Sequence, residues 1–219
     1  MASNTSRRMI AALQVSLDGF IEGPQGEKDW ADSWASALEL IPDVDTFVLG
    51  GRMYPGYGEY WESIYANPER VVPFQERIPS KGEIAYARLA AKTPHFVLST
   101  TLESVSWPRA AQIMRDVEEL RILKGTPGKN SYVVGGATLV ASLLNEGLID
   151  ELRLIVHPIV LGKGQALFSG VNKRLSLDLV HADSTESGRV ILTYRIPNVA
   201  NVEGVSDLVL THEGQGQTI

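Results

Sequence analysis

SYVVGGATLV, residues 131–140, joins a short apolar run, a pair of glycines and an apolar segment with helical spacing. The run predicts a buried strand over 131–134, and Gly135-Gly136 opens a helix that continues to Glu146, with Gly147 directly after its end. Small residues at a strand-to-helix junction allow backbone N–H groups and the positive end of the helix dipole to approach a phosphate. The stretch therefore predicts an α/β unit with a candidate phosphate site.

A second junction of the same kind lies upstream, where the predicted strand 46–49 runs into Gly50-Gly51-Arg52-Met53. Glycines at such positions also simply allow tight turns, and this alternative stays open for either pair. Two such junctions in one chain favour a dinucleotide site. Neither junction has the GxGxxG spacing, and the chain contains no GxxxxGK[ST] or GxSxG motif, so classical dehydrogenase, kinase and hydrolase interpretations lose support.

The rest of the chain alternates apolar runs with segments of helical spacing, which predicts an α/β fold. A mixed, mostly parallel central sheet would be flanked by helices in three layers and closed by an antiparallel hairpin. We read residues 1–7 as a flexible leader, 8–196 as a single domain and 197–219 as a partly disordered extension. The further predicted strands are 9–16, 95–99, 151–157, 175–181 and 190–196, the further helices are 31–40, 83–91 and 109–124, and 61–81 is a surface excursion.

The amino-acid composition argues against several classes of function. The 219 residues carry a net charge of −6, which argues against nucleic acid as a partner. The chain has no cysteine and only four scattered histidines, which predicts no metal site.

Arg7-Arg8 before an apolar run is similar to a twin-arginine export signal, but Asp18-Gly19 ends the run early and the segment is better interpreted as a first strand. No stretch is apolar enough to span a membrane, so we expect a cytoplasmic protein.

Five segments in order carry a family resemblance: 15–21, 29–30, 49–61, 97–102 and 134–168. They resemble the dihydrofolate-reductase-like family, and within it the branch that contains the reductase domain of riboflavin biosynthesis. The resemblance covers residues 8 to about 196, and its most specific block is 135–139 with 147–152 and 157–164. It implies an NADPH-dependent reductase of a small heterocyclic substrate, pterin-like or pyrimidine-like. It also implies a homodimer, for which 152–156 and 190–194 carry suitable apolar residues.

The resemblance further assigns residues to the cofactor. It places the nicotinamide beside the end of the first strand and a following loop, the phosphates and adenosine at the second junction, and the pyrophosphate at the first. The cofactor-binding residues implied in this way are Gln14, Val15, Ser16, Asp18 and Trp30, then Gly50, Gly51, Arg52, Met53, Ser99 and Thr100, then Gly135, Gly136, Ala137 and Thr138.

Two positions depart from the family pattern. Family members commonly carry an arginine where this chain has Gly51, and riboflavin-pathway reductases carry a glutamate where it has Val134. Two alternatives therefore stay open: a riboflavin-pathway or dihydrofolate reductase proper, and a catalytically silent NADPH-binding dimer.

By the same resemblance, Asp32 is the candidate for the catalytic carboxylate that assists protonation of the substrate ring. An acid in a first helical turn also stabilises the helix dipole, which we favour for Asp32. We also favour structural roles for two other titratable residues: Asp18 is interpreted as a turn residue and His157 as structural.

Overall fold

The structure is a computed structural model that describes residues 7–72 and 76–197. In these residues the strands are β1 (Met9–Ser16), β2 (Phe20–Glu22), β3 (Val44–Gly50), β4 (His95–Leu98), β5 (Ala111–Met114), β6 (Asn130–Gly135), β7 (Glu151–His157), β8 (Gln165–Ala166), β9 (Asp178–Ser184) and β10 (Val190–Arg195). The helices are α1 (Trp34–Glu39), α2 (Tyr54–Ala66), α3 (Lys81–Ala90), α4 (Val117–Gly125) and α5 (Ala137–Asn145).

Eight of the strands form one sheet in the order β5-β4-β3-β6-β1-β7-β10-β9. The first six are parallel, whereas β10 pairs antiparallel with both β7 and β9. Strands β2 and β8 form a separate antiparallel pair. The predicted mixed, mostly parallel sheet with a closing hairpin is confirmed, although the first strand of the hairpin starts at Asp178, three residues after the predicted start.

Alternate side chains of β1 enter two apolar cores, one on each face of the sheet. Met9 and Leu13 pack in the core beneath α4 and α5, while Ile10 and Ala12 pack in the core beneath α1, α2 and α3. Strands buried on both faces account for the continuous apolar runs of the sequence. The three-layer arrangement is therefore confirmed.

Helix α2 corrects the prediction of a surface excursion over 61–81. Trp61 is fully buried and stacks on Tyr86 with 4.1 Å between the ring centroids. Pro55 stands in the first helical turn, where a missing N–H costs little, and Tyr57 and Ile64 share the buried face with Trp61. The prediction failed because the prolines, charges and aromatic residues of 61–81 show no steady period, so the sequence did not reveal the buried aromatic face of α2.

Strand β5 corrects a second prediction, the helix over 109–124. Ala111–Met114 pairs parallel with β4, and α4 begins only after Asp116, whose side chain accepts from the Glu118 N–H in a capping box with Glu119. The apolar residues on both sides of this cap have helical spacing by chance, so periodicity alone merged a short edge strand with the helix.

The ends of the chain are only partly described. Arg7, predicted as the last leader residue, is buried and forms an ion pair with Asp45, and Arg8 pairs with Glu151 at the start of β7. Residues 1–6 and 198–219, with the rest of the predicted leader and extension, lie outside the described residues. Within the described part of the chain, no helix is long and apolar enough to cross a membrane.

His95 is fully buried at the start of β4, where its Nε2 is 3.0 Å from the Tyr57 hydroxyl and its Nδ1 is 2.8 Å from the Thr93 carbonyl oxygen. Desolvation lowers the pKa of His95 from 6.5 to about 4. In the unfolded chain the imidazole binds its proton near its ordinary pKa, so between these two values the unfolded state binds more protons than the folded state.

We therefore expect the free energy of unfolding to fall by roughly 3 kcal/mol as pH decreases from about 6.5 to about 4. Urea unfolding across this range should show the loss, and His95→Phe should remove most of it while lowering stability overall, leaving the smaller contribution of His157. Glu83, whose pKa is about 2, loses its contribution as the pH falls from 4.5 towards 2, which is mostly below the window of His95. Equal pH dependence in parent and variant between pH 6.5 and 4 would contradict this assignment.

Candidate active site

A cavity of about 760 Å³ opens at the carboxyl ends of β1 and β6, the end of a parallel sheet where ligands bind. Of the predicted site residues, Gln14, Asp32, Met53 and Gly136 line it. The complete lining is Ala12, Leu13, Gln14, Ile21, Glu27, Lys28, Asp29, Ala31, Asp32, Ser33, Ala37, Met53, Tyr60, Arg77, Val134 and Gly136.

Gly136 is the N-cap residue of α5 and forms no side-chain cap. Its φ of −77° is ordinary, and an added Cβ would meet only the Ile21 Cδ1 at 3.9 Å. Gly135, which joins it through a cis peptide bond, has a φ of +113° that favours glycine. The first N–H groups of α5, including those of Ala137 and Thr138, have no partner inside the helix. The junction thus combines open space with unsatisfied donors and a positive dipole end.

The second junction lies beside the end of β4. The Gly51 N–H donates to the Leu98 carbonyl oxygen at 3.0 Å, and a Cβ on Gly51 would lie 2.4 Å from the Ser99 side chain. Close approach of the two strand ends therefore explains this glycine without a ligand. The close approach of Gly51 and Ser99 nevertheless brings their sequence neighbours Arg52 and Thr100 into the same region, and Arg52 is exposed with no ion-pair partner among the described residues.

Arg115 is a residue of this region that the sequence did not reveal. Its Nη1 donates to the carbonyl oxygens of Ser99 at 3.0 Å and Leu102 at 2.7 Å, and the residue is exposed. It follows β5, a strand that was predicted as part of a helix. A second cation therefore lies beside the predicted adenosine residues, through a contact that no sequence spacing indicates.

Asp32 does not lie on the first helix, because α1 begins only at Trp34. Gln14 holds the backbone of this loop: its Oε1 accepts from the Asp32 N–H at 2.7 Å, and its Nε2 donates to the Asp32 carbonyl oxygen at 2.8 Å. The Asp32 carboxylate forms an ion pair with Arg189. Neither the helix-dipole role nor a free acid describes this carboxylate.

Asp18 fixes a loop. Its carboxylate accepts from the N–H groups of Leu161 at 3.1 Å and Gly162 at 2.7 Å, and from the Ser16 hydroxyl at 2.7 Å. The hydrogen bond from Ser16 is the largest contribution to a lowered pKa of Asp18. This geometry supports the interpretation as a turn residue. Val15 and Ser16 are buried in β1, and neither lines the cavity.

Trp30 packs against His157 in a T-shaped contact with 5.3 Å between the ring centroids. The His157 Nε2 is 2.9 Å from the Gln14 Oε1, and desolvation lowers the His157 pKa. Since the Gln14 amide N–H groups face two carbonyl oxygens, its Oε1 faces the imidazole, and the His157 Nε2 carries the proton. A neutral histidine that orients Gln14 fits the structural role predicted for it.

In the part of the chain that the structure describes, no group of three His, Asp or Glu side chains is arranged to hold a metal ion. The absence of a metal from the function stays a prediction.

The family model described as RibD C-terminal domain matches residues 7–191 of this chain. The chain belongs to the RibD C-terminal domain family. Its similarity to the uncharacterized protein YyaP of Bacillus subtilis (strain 168) is 34% identity over 86% of this chain and 94% of that protein. The uncharacterized protein YwjB of the same organism is 26% identical over 79% of this chain and 89% of that protein.

Solved structures share the fold of this RibD C-terminal domain. A putative riboflavin biosynthesis protein from Shewanella sp. PV-4 superposes with a TM-score of 0.63 at 21% identity, covering 88% of this chain and 100% of that one. Dihydrofolate reductase from Enterococcus faecalis, complexed with NADP(H), gives 0.57 at 16% identity, covering 88% and 98%. The dihydrofolate-reductase-like fold inferred from the sequence is therefore confirmed.

Proposed function

We propose that this chain is an NADPH-dependent reductase of a small heterocyclic substrate, pterin-like or pyrimidine-like. The observation that carries the proposal is the junction at Gly136, where the N-cap residue of α5, without a side-chain cap, lines a cavity of about 760 Å³. Membership of the RibD C-terminal domain family supports the reductase class. We place the reaction in the cytoplasm on the sequence grounds given above.

The residues present fit a nicotinamide dinucleotide, because a Cβ at Gly136 would fill the space in which a phosphate reaches the α5 N-terminus. Gly135 to Thr138 would hold the pyrophosphate, and Gly50 to Met53 with Ser99 and Thr100 the adenosine side. When bound, the cofactor supplies the hydride. The chain's part is to orient both reactants and to exclude water. Gln14 supports this role because its hydrogen bonds hold the backbone of the loop at Asp32, which forms part of the cavity wall.

The ion pair of Asp32 with Arg189 favours one alternative, a protein that binds NADPH without turnover. A carboxylate already paired with a guanidinium is an acceptor and does not deliver a proton. NADPH oxidation measured with a panel of pterins and pyrimidines separates the two functions. Turnover supports the reductase, whereas tight NADPH binding without turnover across the panel supports the silent protein.

Arg115 and Arg52 are the cations that we expect to recognise the 2′-phosphate of NADPH. Arg115 is fixed by two backbone carbonyl oxygens, and charge-assisted contacts to phosphate are strong. Arg115→Met should weaken NADPH binding by roughly tenfold, about 1.4 kcal/mol, and leave NADH binding nearly unchanged. Calorimetric titration of both cofactors measures this difference.

Arg88→Met provides the control for Arg115→Met, because Arg88 is an exposed residue of α3 remote in sequence from either glycine junction. It should leave both affinities unchanged. Equal weakening of NADPH and NADH by Arg115→Met would show that Arg115 supports the loop without reading the 2′-phosphate.

We also propose a homodimer formed through the antiparallel end of the sheet. Strand β9 is the edge strand, and all of its residues are exposed, including Leu179 at 58% and Val180 at 49%. Such an apolar edge is a surface that native proteins cover. The range 152–156 does not contribute, because Leu152 and Leu154 are buried between β1 and β10. The proposed surface is therefore limited to β9 and β10.

Light scattering at micromolar concentration should give about twice the chain mass of 23.9 kDa. Leu179→Asp places a charge in the proposed surface and should reduce the mass to that of one chain without unfolding the protein. A parent protein that is monomeric over this range would refute the dimer.

A further inference from the structure

Arg189 lies in the turn between β9 and β10 and reaches the cavity wall at Asp32. The turn orients it: the Arg189 Nε donates to the Ser187 hydroxyl at 2.9 Å, and the Arg189 N–H donates to the Thr185 hydroxyl at 3.2 Å. The Thr185 N–H donates to the Arg189 carbonyl oxygen at 2.9 Å, and this backbone hydrogen bond closes the turn. The guanidinium is therefore presented to Asp32 by a hydrogen-bonded turn.

Asp32 is fixed independently through the two hydrogen bonds between its backbone and the Gln14 amide. Its side chain is 38% exposed and that of Arg189 is 29% exposed. Both partners are thus held by contacts within the protein, and the carboxylate that lines the cavity is paired with a cation. The ion pair of Asp32 with Arg189 therefore affects the charge that a ligand meets at this part of the cavity wall.

The other charged groups that line the cavity are either paired or exposed to water. Lys28 pairs with Glu22 at 3.2 Å and Arg77 with Glu83 at 2.8 Å, so these two cations are also compensated. Glu27 and Asp29 line the cavity as exposed residues, where water screens their charge. Asp32 is also exposed, and among the lining carboxylates it is the one that the described structure pairs with a cation.

We propose that Arg189 is a specificity-determining residue: by neutralising Asp32 it lowers the affinity of the cavity for cationic heterocycles relative to neutral ones. The inference rests on the proposed function, because it concerns the heterocycle bound in this cavity. A free carboxylate would attract a protonated or alkylated ring, whereas a carboxylate paired with Arg189 gains little from a second cation. A neutral ring with an N–H donor still finds an acceptor oxygen on Asp32.

Two pyrimidines test this selection. The permanently charged 2,4-diamino-1-methylpyrimidinium and neutral 2-amino-4-hydroxypyrimidine are of similar size and are titrated calorimetrically into the full-length protein. The variants are Arg189→Met, Arg189→Lys, which keeps the charge, and the double variant Asp32→Asn with Arg189→Met. Arg195→Met, at the far end of β10 and exposed, is the matched control.

We expect Arg189→Met to raise the affinity for the cation by roughly tenfold and to change that for the neutral ring less than twofold. Arg189→Lys and Arg195→Met should behave as the parent, and the double variant should lose the gain because the carboxylate is gone. An unchanged ratio of the two affinities in Arg189→Met, an equal change for both probes, or no binding of either probe overturns the proposal. The NADPH titration is independent, so failure of the proposed function is seen separately.

Discussion

Gly136→Asp is expected to abolish stabilisation by NADPH while the protein stays folded. The φ of −77° suits any residue, a Cβ has room, and aspartate is a favourable N-cap, so the fold tolerates the change. Its carboxylate would occupy and repel the phosphate position. At 100 times its dissociation constant, NADPH should stabilise the parent by about 2.7 kcal/mol, a rise of roughly 5 to 10 °C in thermal melts, and the variant not at all.

Gly136→Asn is the matched control because it has the size of aspartate without the charge. It should weaken NADPH binding by occupying space and yet retain more of the thermal shift than Gly136→Asp. If Gly136→Asp and the parent shift equally with NADPH, the cofactor lies elsewhere and the functional interpretation of the junction fails.

Gly164→Ala is expected to cause a large loss of stability, greater than that of Gly162→Ala in the same loop. Gly164 has a φ of +143°, and a Cβ there would lie 2.1 Å from the Glu22 carbonyl oxygen, which is backbone and cannot rotate away. Backbone strain and a forced shift each cost roughly 1 to 3 kcal/mol. Urea unfolding should therefore show a loss of roughly 3 kcal/mol or more.

Gly162→Ala, two residues earlier in the same loop, separates the two causes. Gly162 has a φ of +73°, but nothing lies within 4 Å of an added Cβ, so only the strain of roughly 1 to 2 kcal/mol applies. Equal losses in the two variants would show that the contact with Glu22 does not determine the cost at Gly164.

The parts of the fold that the sequence predicted are those in which local pattern and burial agree. The run before Gly135 is apolar because β6 is buried on both faces, and Gly147 ends α5 with a φ of +66°. Helix α2 and strand β5 were missed because local signals conflicted with packing. Pro55 stands where a helix tolerates it, and the short strand β5 has apolar spacing that continues into α4.

The sequence predicted the two glycine junctions, which the structure places at strand ends, but it did not predict the charged contacts near them. Arg115 lies 16 residues from Ser99 in sequence, and Arg189 lies 157 residues from Asp32, so only the folded sheet brings each pair together. The sequence predicts Asp32 as a carboxylate in the first turn of a helix. Its pairing with Arg189 depends on the turn between β9 and β10, which no spacing in the sequence relates to it.

A crystal structure of the protein with NADPH tests the central claim most directly. We predict pyrophosphate oxygens within hydrogen-bond distance of the backbone N–H groups at Gly136 and Ala137, with the nicotinamide in the cavity that Gln14 and Asp32 line. A cofactor bound at another surface, or bound with its pyrophosphate away from the N-terminus of α5, would contradict the account.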